Sequence, residues 1–406
     1  MDAFEILRDR GFLQQCTDED ALKAALSAGS VTFYVGFDPT ADSLHVGHLL
    51  PVMAMRWMQQ CGHRPIAIVG GGTAMVGDPS GKTELRQMLT REQIVANTNA
   101  LKAQLSHFLS FEDGAGLLVD NADWLLDLSY IQFLRDIGRH FSVNRMLSAE
   151  AYKMRLERGL SFIEFNYQLL QAYDFLELNR RYGCTLQMGG DDQWGNILAG
   201  TDLVRRIARA DVHGLTQPLI TTATGAKMGK SAAGAVWLDP ARLPPFDYYQ
   251  YWLNVDDRDV GRFLKLYTAL PLDEIARYEA LQGADIREGK ARLAWESTAL
   301  VHGAEAADQA AAAGRAMVSA TASEDLPTHS VSEDAIAQGL KVAAVLADAG
   351  LCKSRSDARR QIEGGAVRVN GEKVSDPELN VDPTWLAQGD VVLRVGKKRA
   401  ARLMLG

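Results

Sequence analysis

The chain of 406 residues lacks the features typical of membrane-spanning, secreted and disulfide-stabilised proteins. No apolar run approaches the roughly 20 residues that a helix needs to cross a bilayer. The first 16 residues are mixed and acidic, without the basic start and apolar core of a secretory signal. The four cysteines are scattered and show no paired spacing. We therefore expect a cytoplasmic protein with reduced thiols, and neither disulfides nor a zinc site.

Two common nucleotide-binding loops are also missing. Residues 77–83 (GDPSGKT) look like a Walker loop, but three residues separate their glycines where that loop has four, and Pro79 removes a backbone N–H. After Gly70 and Gly72, Met75 stands where a dinucleotide fingerprint needs its third glycine. Both motifs are therefore excluded, and Lys82 and Arg86 remain as spare cations.

Charge is unevenly distributed along the chain. The net charge is −8, yet residues 340–406 contain 12 Lys/Arg against 8 Asp/Glu, while the rest contains 31 against 43. The last thirteen residues hold five basic side chains and no acidic one. An acidic body with a basic end favours a polyanionic partner at that end, and an ordinary solvated surface is the equally supported alternative.

A strand, a helix and a second strand follow one another between residues 30 and 70. Residues 30–37 (SVTFYVGF) and 65–69 (PIAIV) predict buried strands, and the apolar residues from Val46 onward predict the helix between them. Such a βαβ unit predicts an α/β fold with a doubly wound, parallel, Rossmann-like sheet. Ligands of such sheets bind beyond the carboxyl ends of the strands, where His45, Asp78 and Asp192 are expected.

The sequence as a whole predicts four segments. An α/β body covers residues 1–245, with a helical insertion at about 125–182. A helical segment covers 246–320, a polar linker 321–339, and a small α+β unit 340–406.

Two short signatures predict a site for ATP. His45 and His48 are one helical turn apart at a predicted helix start, which favours phosphate, and Gly47 lets a flat ring such as adenine approach the backbone. Lys227 and Lys230 place two ammonium groups on a glycine-containing loop, which suits a leaving pyrophosphate. The alternatives are capping or surface histidines and solvated lysines.

A third pattern indicates a pocket. Tyr167, Gln171 and Asp174 are spaced i, i+4 and i+7, which puts them on one face of a predicted helix. Because leucine and phenylalanine fill the flanking positions, we favour a pocket lining over a solvent-facing stripe.

Five ordered segments resemble those of bacterial tyrosyl-tRNA synthetases, which are class I enzymes. They are PTADSLHVGH (39–48), GDPSGKTELR (77–86), NYQLLQAYD (166–174), QMGGDDQWGN (187–196) and KMGKS (227–231). The resemblance covers nearly the whole chain, and residues 340–406 resemble the small RNA-binding domain named after ribosomal protein S four.

The resemblance implies a reaction and a set of partners. L-Tyrosine and ATP would form tyrosyl-adenylate and pyrophosphate, and tyrosine would then pass to the 3′ end of tRNA(Tyr). Mg²⁺ would arrive with ATP and have no dedicated protein ligands. The enzyme would be a homodimer with Phe162 near the interface, and no membrane would be involved.

The resemblance also implies a role for each matching residue. The catalytic set would be Thr40, His45, His48, Lys82, Arg86, Lys227, Lys230 and Ser231. Thr40 and His45 would contact the γ-phosphate, His48 would pack by the nucleotide, and the four cations would close over the pyrophosphate. Tyrosine would be bound by Tyr34, Asp78, Tyr167, Gln171, Asp174, Gln187 and Gln193, with Tyr34 and Asp174 on the phenol hydroxyl. ATP would be bound by Asp38, His45, Gly47, His48, Asp192 and Lys230, with Asp192 on the ribose.

The sequence departs from the family signatures at two positions, and two alternative functions remain open. Val46 replaces the isoleucine of the family's first signature, which changes little, and Gly229 replaces a serine in the second, which predicts a more mobile loop. Tryptophanyl enzymes share both signatures, so a tryptophanyl-type synthetase is one alternative. A catalytically inactive, synthetase-like RNA-binding protein is the other.

Overall fold

The structure, a computed structural model, describes the chain except for residues 1, 81–88, 150–151, 154–155, 157–158, 226–227, 232–233, 321–326, 371, 388–390, 397–398 and 406. The chain divides into two compact units, Met1–Ala310 and Ala311–Gly406. None of the helices in the described ranges is both long and apolar enough to span a bilayer.

A six-stranded sheet forms the centre of the first unit, in the order β1-β6-β5-β2-β3-β4. Its strands are β1 (Gln15–Cys16), β2 (Thr32–Phe37), β3 (Arg64–Val69), β4 (Leu117–Asp120), β5 (Leu186–Gly190) and β6 (His213–Gln217). Neighbouring strands are parallel except at the edge, where β1 runs antiparallel to β6. The chain moves outward from β2 to β3 and β4, and then continues on the other side of β2 with β5 and β6. The strand order therefore reverses between β2 and β5.

Fourteen helices precede, connect and follow these strands along the described parts of the chain up to residue 320. They are α1 (Ala3–Arg10), α2 (Glu19–Ala28), α3 (Val46–Gln60), α4 (Arg91–Phe108), α5 (Ala122–Leu125), α6 (Tyr130–Asp136), α7 (Val143–Leu147), α8 (Phe162–Tyr182), α9 (Trp194–Ile207), α10 (Pro245–Leu253), α11 (Val260–Tyr267), α12 (Leu272–Glu279), α13 (Ile286–His302) and α14 (Ala304–Ala320). A short hairpin pairs β7 (Lys230–Ser231) with β8 (Gly234–Ala235). The helix predicted after Val46 and the helical character predicted for residues 246–320 are both present.

The long helix α8 has sequence-encoded ends. Ser161 and Glu164 form a reciprocal capping box at its start, and Gly183 ends it in the left-handed region at φ 66°. These ends set the face that α8 turns toward the sheet, where Phe175 packs on Tyr34 with ring centroids 5.4 Å apart. Because side chains alternate along a strand, Phe33 is buried on the opposite face of β2. The sheet is thus covered on both faces.

Arg10 ties the amino-terminal helix to the helical part of the first unit. Its guanidinium donates hydrogen bonds to the carbonyls of Lys265 (3.1 Å), Thr268 (3.3 Å) and Leu270 (2.6 Å). It also lies over the Trp57 ring, 3.9 Å from the centroid. Arg10 is only 5% exposed, and burial lowers its pKa to about 10.

Replacing Arg10 with methionine is expected to destabilise the protein by about 2 kcal/mol, because three buried carbonyls lose a charged donor while the apolar contact with Trp57 is kept. The midpoint of urea unfolding measures this. The matched control is Arg8→Met on the same helix, because Arg8 is exposed and pairs with Glu5 and Asp9 at the surface. Equal shifts for the two variants would contradict the anchoring role of Arg10.

The second unit is an α+β fold with its own core. Its five-stranded sheet has the order β11-β10-β12-β13-β9, formed by β9 (Thr328–Val331), β10 (Val367–Val369), β11 (Glu372–Lys373), β12 (Val391–Val395) and β13 (Arg399–Leu405). Its helices are α15 (Glu333–Ala337), α16 (Val342–Asp348), α17 (Arg355–Glu363) and α18 (Pro383–Ala387). Leu346 on α16 and Ile362 on α17 pack with Leu393 and Leu403 of the sheet.

The predicted linker at 321–339 does not hold for its second half. Residues 328–331 form β9, which pairs in parallel with β13, and residues 333–337 form α15. The polar composition was misleading because β9 is an edge strand, for which one buried apolar residue, Val331, is enough. The body and helical segment that we predicted as separate, at 1–245 and 246–320, lie largely within the single unit Met1–Ala310.

Candidate active site

A cavity of about 610 Å³ lies at the point where the strand order of the first sheet reverses. Residues at or just beyond the carboxyl ends of β2, β3 and β5 line it, including Asp38, Gly70 and Gly190. Open parallel sheets bind ligands at such a point, because the loops on the two sides diverge and leave a crevice. The cavity has two chemically different ends.

One end holds the buried pair Tyr34 and Asp174. Asp174 accepts hydrogen bonds from Trp124 Nε1 (2.8 Å) and Asn121 Nδ2 (2.9 Å). The hydroxyl of Tyr34, which is 2% exposed, has no hydrogen-bond partner among the described residues. Gln187 lies beside Tyr34 on the neighbouring strand, and its Oε1 is equally unpartnered there. Buried polar atoms are costly when unpaired, so this end is suited to a ligand that carries a hydroxyl.

Burial dominates the electrostatics of this end. It raises the pKa of Asp174 to about 7, a rise that the hydrogen bonds from Asn121 and Trp124 limit and that the charges of Asp38 and Asp120 increase. Burial, together with the charge of Asp174, raises the pKa of Tyr34 well above its usual value. The phenol of Tyr34 therefore stays protonated, and the Asp174 carboxyl titrates near neutrality.

A second carboxylate lies in a polar network on the same cavity. Asp78 accepts hydrogen bonds from Gln193 Nε2 (2.8 Å) and from the backbone N–H of Ser80 (2.9 Å). Asn196 Nδ2 donates to Gln193 Oε1 (3.0 Å) and to Gln171 Oε1 (3.1 Å). Burial and the charge of Asp38 raise the pKa of Asp78 to about 6. These hydrogen bonds fix the orientation of Asp78, Gln171 and Gln193 on the cavity wall.

Asp38 belongs to the hydrogen-bonded chain that leads to Asp174. It accepts hydrogen bonds from Thr73 Oγ1 (3.0 Å) and from the Tyr167 hydroxyl (3.3 Å). Thr73 in turn accepts from Asn121 (3.0 Å), the residue that holds Asp174. Asp38 and Asp174 are thus connected through Thr73 and Asn121 by hydrogen bonds that fix their orientation.

The histidine signature lies at the other end. His45 caps α3, with its Nδ1 accepting the N–H of Gly47 (3.0 Å), and His48 Nδ1 accepts the N–H of His45 (3.3 Å). The two imidazoles stack with centroids 3.9 Å apart. A neutral imidazole has one N–H, and because Nδ1 is the acceptor in both rings, the proton of each is on Nε2. Both rings can therefore donate a hydrogen bond while the helix start is capped.

The lysine signature contacts the histidine signature through Gly229. Gly229 has φ +89°, and a Cβ there would lie 3.1 Å from the Gly47 nitrogen. Any other residue would be strained and crowded in this arrangement. We predicted that Gly229 makes the loop more mobile, and the structure gives this glycine a further role, which is close packing.

The described candidate residues come together in one cavity. Its walls contain Tyr34, Asp38, Thr40, His45, His48, Asp78, Tyr167, Gln171, Asp174, Gln187, Asp192 and Gln193. Gly47 lies in the first turn of α3, beneath the His45 ring. Lys82, Arg86 and Lys227 fall outside the described residues, and for Lys230 and Ser231 the backbone alone is described, as β7.

Sequence reasoning missed the residues that hold the binding groups. Thr73, Asn121, Trp124 and Asn196 do not belong to the candidate set, yet they make the hydrogen bonds described above. The one available signal was position: Thr73 and Asn121 each come shortly after a strand, as ligand-binding residues of such sheets often do.

The chain belongs to the class I tRNA synthetases of the tryptophan and tyrosine group. The model of the family tRNA synthetases class I (W and Y) matches residues 26–319. The S4 domain model matches residues 341–384, in the second unit.

Within this group, the similar curated proteins are tyrosine–tRNA ligases. That of Clostridium kluyveri is 50% identical over 403 residues, 99% of each chain. That of Nitrobacter winogradskyi is 53% identical over 404 residues, 98% of this chain and 97% of its own. A truncated mitochondrial tyrosyl-tRNA synthetase from Aspergillus nidulans has a TM-score of 0.70 and 32% identity, covering 78% of this chain and 94% of its own.

Tryptophanyl enzymes are more distant. That of Encephalitozoon cuniculi has a TM-score of 0.58 at 13% identity, over 75% of this chain and 87% of its own, a likeness of fold alone. The predictions of the family, of the fold class and of a tyrosine–tRNA ligase are therefore confirmed, and the alternatives are not favoured.

Proposed function

We propose that this cavity binds tyrosine and ATP side by side, joins them, and passes the tyrosyl group to tRNA(Tyr). The observation that carries the proposal is the unpartnered, buried hydroxyl of Tyr34 near Asp174, at one end of a cavity whose other end is the capped histidine pair. The phenol of tyrosine fits the first end, and the triphosphate of ATP fits the second.

Tyrosine is oriented by its two polar termini. Its phenol hydroxyl donates to Asp174 and accepts from Tyr34, which gives the Tyr34 hydroxyl the partner that it lacks among the described residues. Its ammonium lies by Asp78, Tyr167 and Gln171, and Gln193 lies near its carboxylate. Gln187 lines the same side of the cavity.

The reaction needs placement and charge stabilisation. A carboxylate oxygen of tyrosine attacks the α-phosphorus of ATP, the bond to the bridging oxygen breaks, and pyrophosphate leaves with the electron pair. The substrate supplies the nucleophile already ionised, so no side chain has to remove a proton. His45 and His48 donate from Nε2 to the phosphates beside Thr40, and Asp192 holds the ribose. The roles of Lys82, Arg86, Lys227, Lys230 and Ser231 on pyrophosphate stay predictions from the family pattern.

Mg²⁺ is proposed as the counter-ion that ATP brings. Mg²⁺ is commonly held by phosphate oxygens and retained waters, so ATP itself can supply much of its coordination. Among the described residues, no group of three or more His, Cys, Asp or Glu side chains is arranged to hold a metal ion. Bound Mg²⁺ would neutralise phosphate charge.

Isotopic exchange between pyrophosphate and ATP tests the proposal. Exchange should depend on tyrosine and proceed without RNA, while phenylalanine and tryptophan should support little exchange. Equal exchange with tryptophan would contradict the assignment, and no exchange with any amino acid would indicate an inactive RNA-binding relative.

Tyrosine binding is expected to strengthen as the pH rises from about 5 to about 7.5. The raised pKa values, about 6 for Asp78 and about 7 for Asp174, mean that both carboxyls are protonated at the low end of this range. An ammonium and a phenol O–H both favour the carboxylate form, so binding releases protons and its dissociation constant falls with pH. Equilibrium dialysis across this range measures the effect, and a dissociation constant independent of pH would contradict it.

The same two carboxyls also make the stability of the unliganded protein depend on pH, and here the dependence has the opposite sign. A carboxyl whose pKa is raised by folding stabilises the fold at low pH, and this contribution is lost as the pH rises from about 4 to about 7. The variant Asp78→Asn tests both effects. It should remove the part of the pH dependence near pH 6 from tyrosine binding and from folding stability alike.

A homodimer is proposed from the exposed apolar side chains. Most of the large exposed apolar residues in the described ranges fall between 126 and 163, and Ile131 and Phe162 are 72% and 70% exposed. Such a concentration suits a second copy of the chain. Light scattering at micromolar concentration should give twice the chain mass, and Phe162→Asp should lower it. A monomer before substitution would contradict the proposal.

The S4 domain is proposed to bind tRNA, with an affinity that falls steeply as salt rises. Ending the chain before this domain should spare adenylate formation and impair charging.

A cytoplasmic location is proposed because the four cysteines are free, which suits a reducing compartment.

A further inference from the structure

The turn formed by Met228 and Gly229 is fixed against the start of α3. The carbonyl of Gly229 accepts the N–H of Val236 (2.9 Å), and the carbonyl of Val236 accepts the N–H of Val46 (2.9 Å). Gly229 also approaches Gly47 closely, as described above. The two described residues at the centre of the lysine signature are therefore held against the histidine signature.

A tyrosine from the helical part of the unit holds the turn from the other side. The hydroxyl of Tyr251, on α10, donates to the Met228 sulfur at 3.0 Å. Met228 is 4% exposed, and its backbone N–H donates to the carbonyl of Ile220 (2.8 Å). Burial raises the pKa of Tyr251 to about 12, opposed by a hydrogen bond from the Gly229 backbone, so the hydroxyl stays protonated at neutral pH. This hydroxyl therefore anchors the turn through Met228.

A second anchor holds the chain that leads into this turn. Asp259, which is 3% exposed, accepts the N–H of Ala223 at 2.7 Å and is paired with Arg262 at 2.7 Å. Arg262 also donates to the carbonyl of Thr221. Both anchors come from residues after 245, whereas the described groups proposed to face the nucleotide come from residues before 245.

We propose that Tyr251 is a positioning residue for adenylate formation, which holds the Met228–Gly229 turn against the start of α3, where the phosphates of ATP are proposed to bind. Tyr251 is not one of the described residues that line the cavity. The inference rests on the proposed function, because positioning of the turn matters only if ATP binds beside the histidines. It predicts an effect on the rate of activation and none on the affinity for tyrosine.

A double-mutant cycle on the full chain tests this. Tyr251→Phe removes the donor and Met228→Leu removes the acceptor, while both keep the apolar volume. Each should slow single-turnover formation of tyrosyl-adenylate about threefold to tenfold, the loss typical of one hydrogen bond. The double variant should be no slower than either single variant, because the two changes break the same contact. The dissociation constant of tyrosine should stay unchanged.

Tyr248→Phe is the matched control. Tyr248 is buried on the same helix, and its hydroxyl has no hydrogen-bond partner in the described part of the chain. This variant should form adenylate at the normal rate. The inference is overturned if the effects of Tyr251→Phe and Met228→Leu multiply, if tyrosine affinity falls in parallel with the rate, or if Tyr248→Phe is equally slow. A normal rate for Tyr251→Phe in an active enzyme overturns the inference alone, whereas failure of the unsubstituted protein to form adenylate overturns the proposed function.

Discussion

Asp174→Asn is expected to lower the preference for tyrosine over phenylalanine by at least about a hundredfold. Preferences of about 10⁴–10⁵ are already known for a tyrosyl-tRNA synthetase, and they arise because phenylalanine leaves the polar groups of the site unpaired. Asparagine keeps the size of the side chain but has one oxygen, whereas Asp174 uses two oxygens to accept from Trp124 and Asn121. In the variant, either Trp124 or Asn121 would face the N–H₂ group of the new asparagine, because that side chain has a single oxygen. The acceptor for the phenol hydroxyl would then be lost or turned away.

The ratio of kcat/KM for the two amino acids in pyrophosphate exchange measures this effect. Trp124→Phe is the control, since it removes one hydrogen-bond donor to Asp174 and leaves the Asp174 carboxylate in place. The hydrogen bond from Trp124 lowers the pKa of Asp174, so its loss should raise that pKa and move the pH dependence of tyrosine binding upward. An unchanged preference in Asp174→Asn would mean that another group recognises the phenol.

His45→Ala is expected to slow adenylate formation about 10²–10³-fold, as loss of one donor to a developing charge commonly does. His45 has two separable functions: its Nδ1 caps α3 by accepting from Gly47, and its Nε2–H is proposed to donate to phosphate. Substitution by alanine removes both, so the change in stability has to be separated from the change in rate.

Two further variants make that separation. In His45→Asn the amide oxygen can accept from Gly47 in place of Nδ1, and in His45→Gln the amide N–H₂ can reach the position of Nε2–H. Asparagine should preserve the unfolding midpoint and remain slow, while glutamine should recover part of the rate. Burst kinetics of pyrophosphate release measure the rate. A fast asparagine variant would show that the cap alone is needed.

Local spacing explains why much of the candidate site could be predicted. Tyr167, Gln171 and Asp174 share a helix face because an α-helix repeats every 3.6 residues, and the capping box at Ser161 makes that helix begin where it does. His45 and His48 flank a helix start for the same local reason. The order of strands and helices likewise predicts a parallel sheet and a site at the carboxyl ends of its strands.

Local reasoning failed where distant residues had to meet. Asn121 lies 53 positions before Asp174 and 48 positions after Thr73, and it contacts both. The linker prediction failed because polar composition cannot reveal that residues 328–331 pair with a strand some seventy positions later.

The sequence by itself determined the class of reaction, the two signatures and the helix face that is proposed to read tyrosine, because these depend on residue type and on short spacing. Tertiary structure alone decided how those groups are held and charged. Packing of α8 onto the sheet buries Asp174 and brings its pKa near neutrality. Packing of the Met228–Gly229 turn onto α3 requires a glycine at 229 and places Tyr251 behind it. Burial and contact across the fold are sums over many distant neighbours, and no short stretch of sequence contains them.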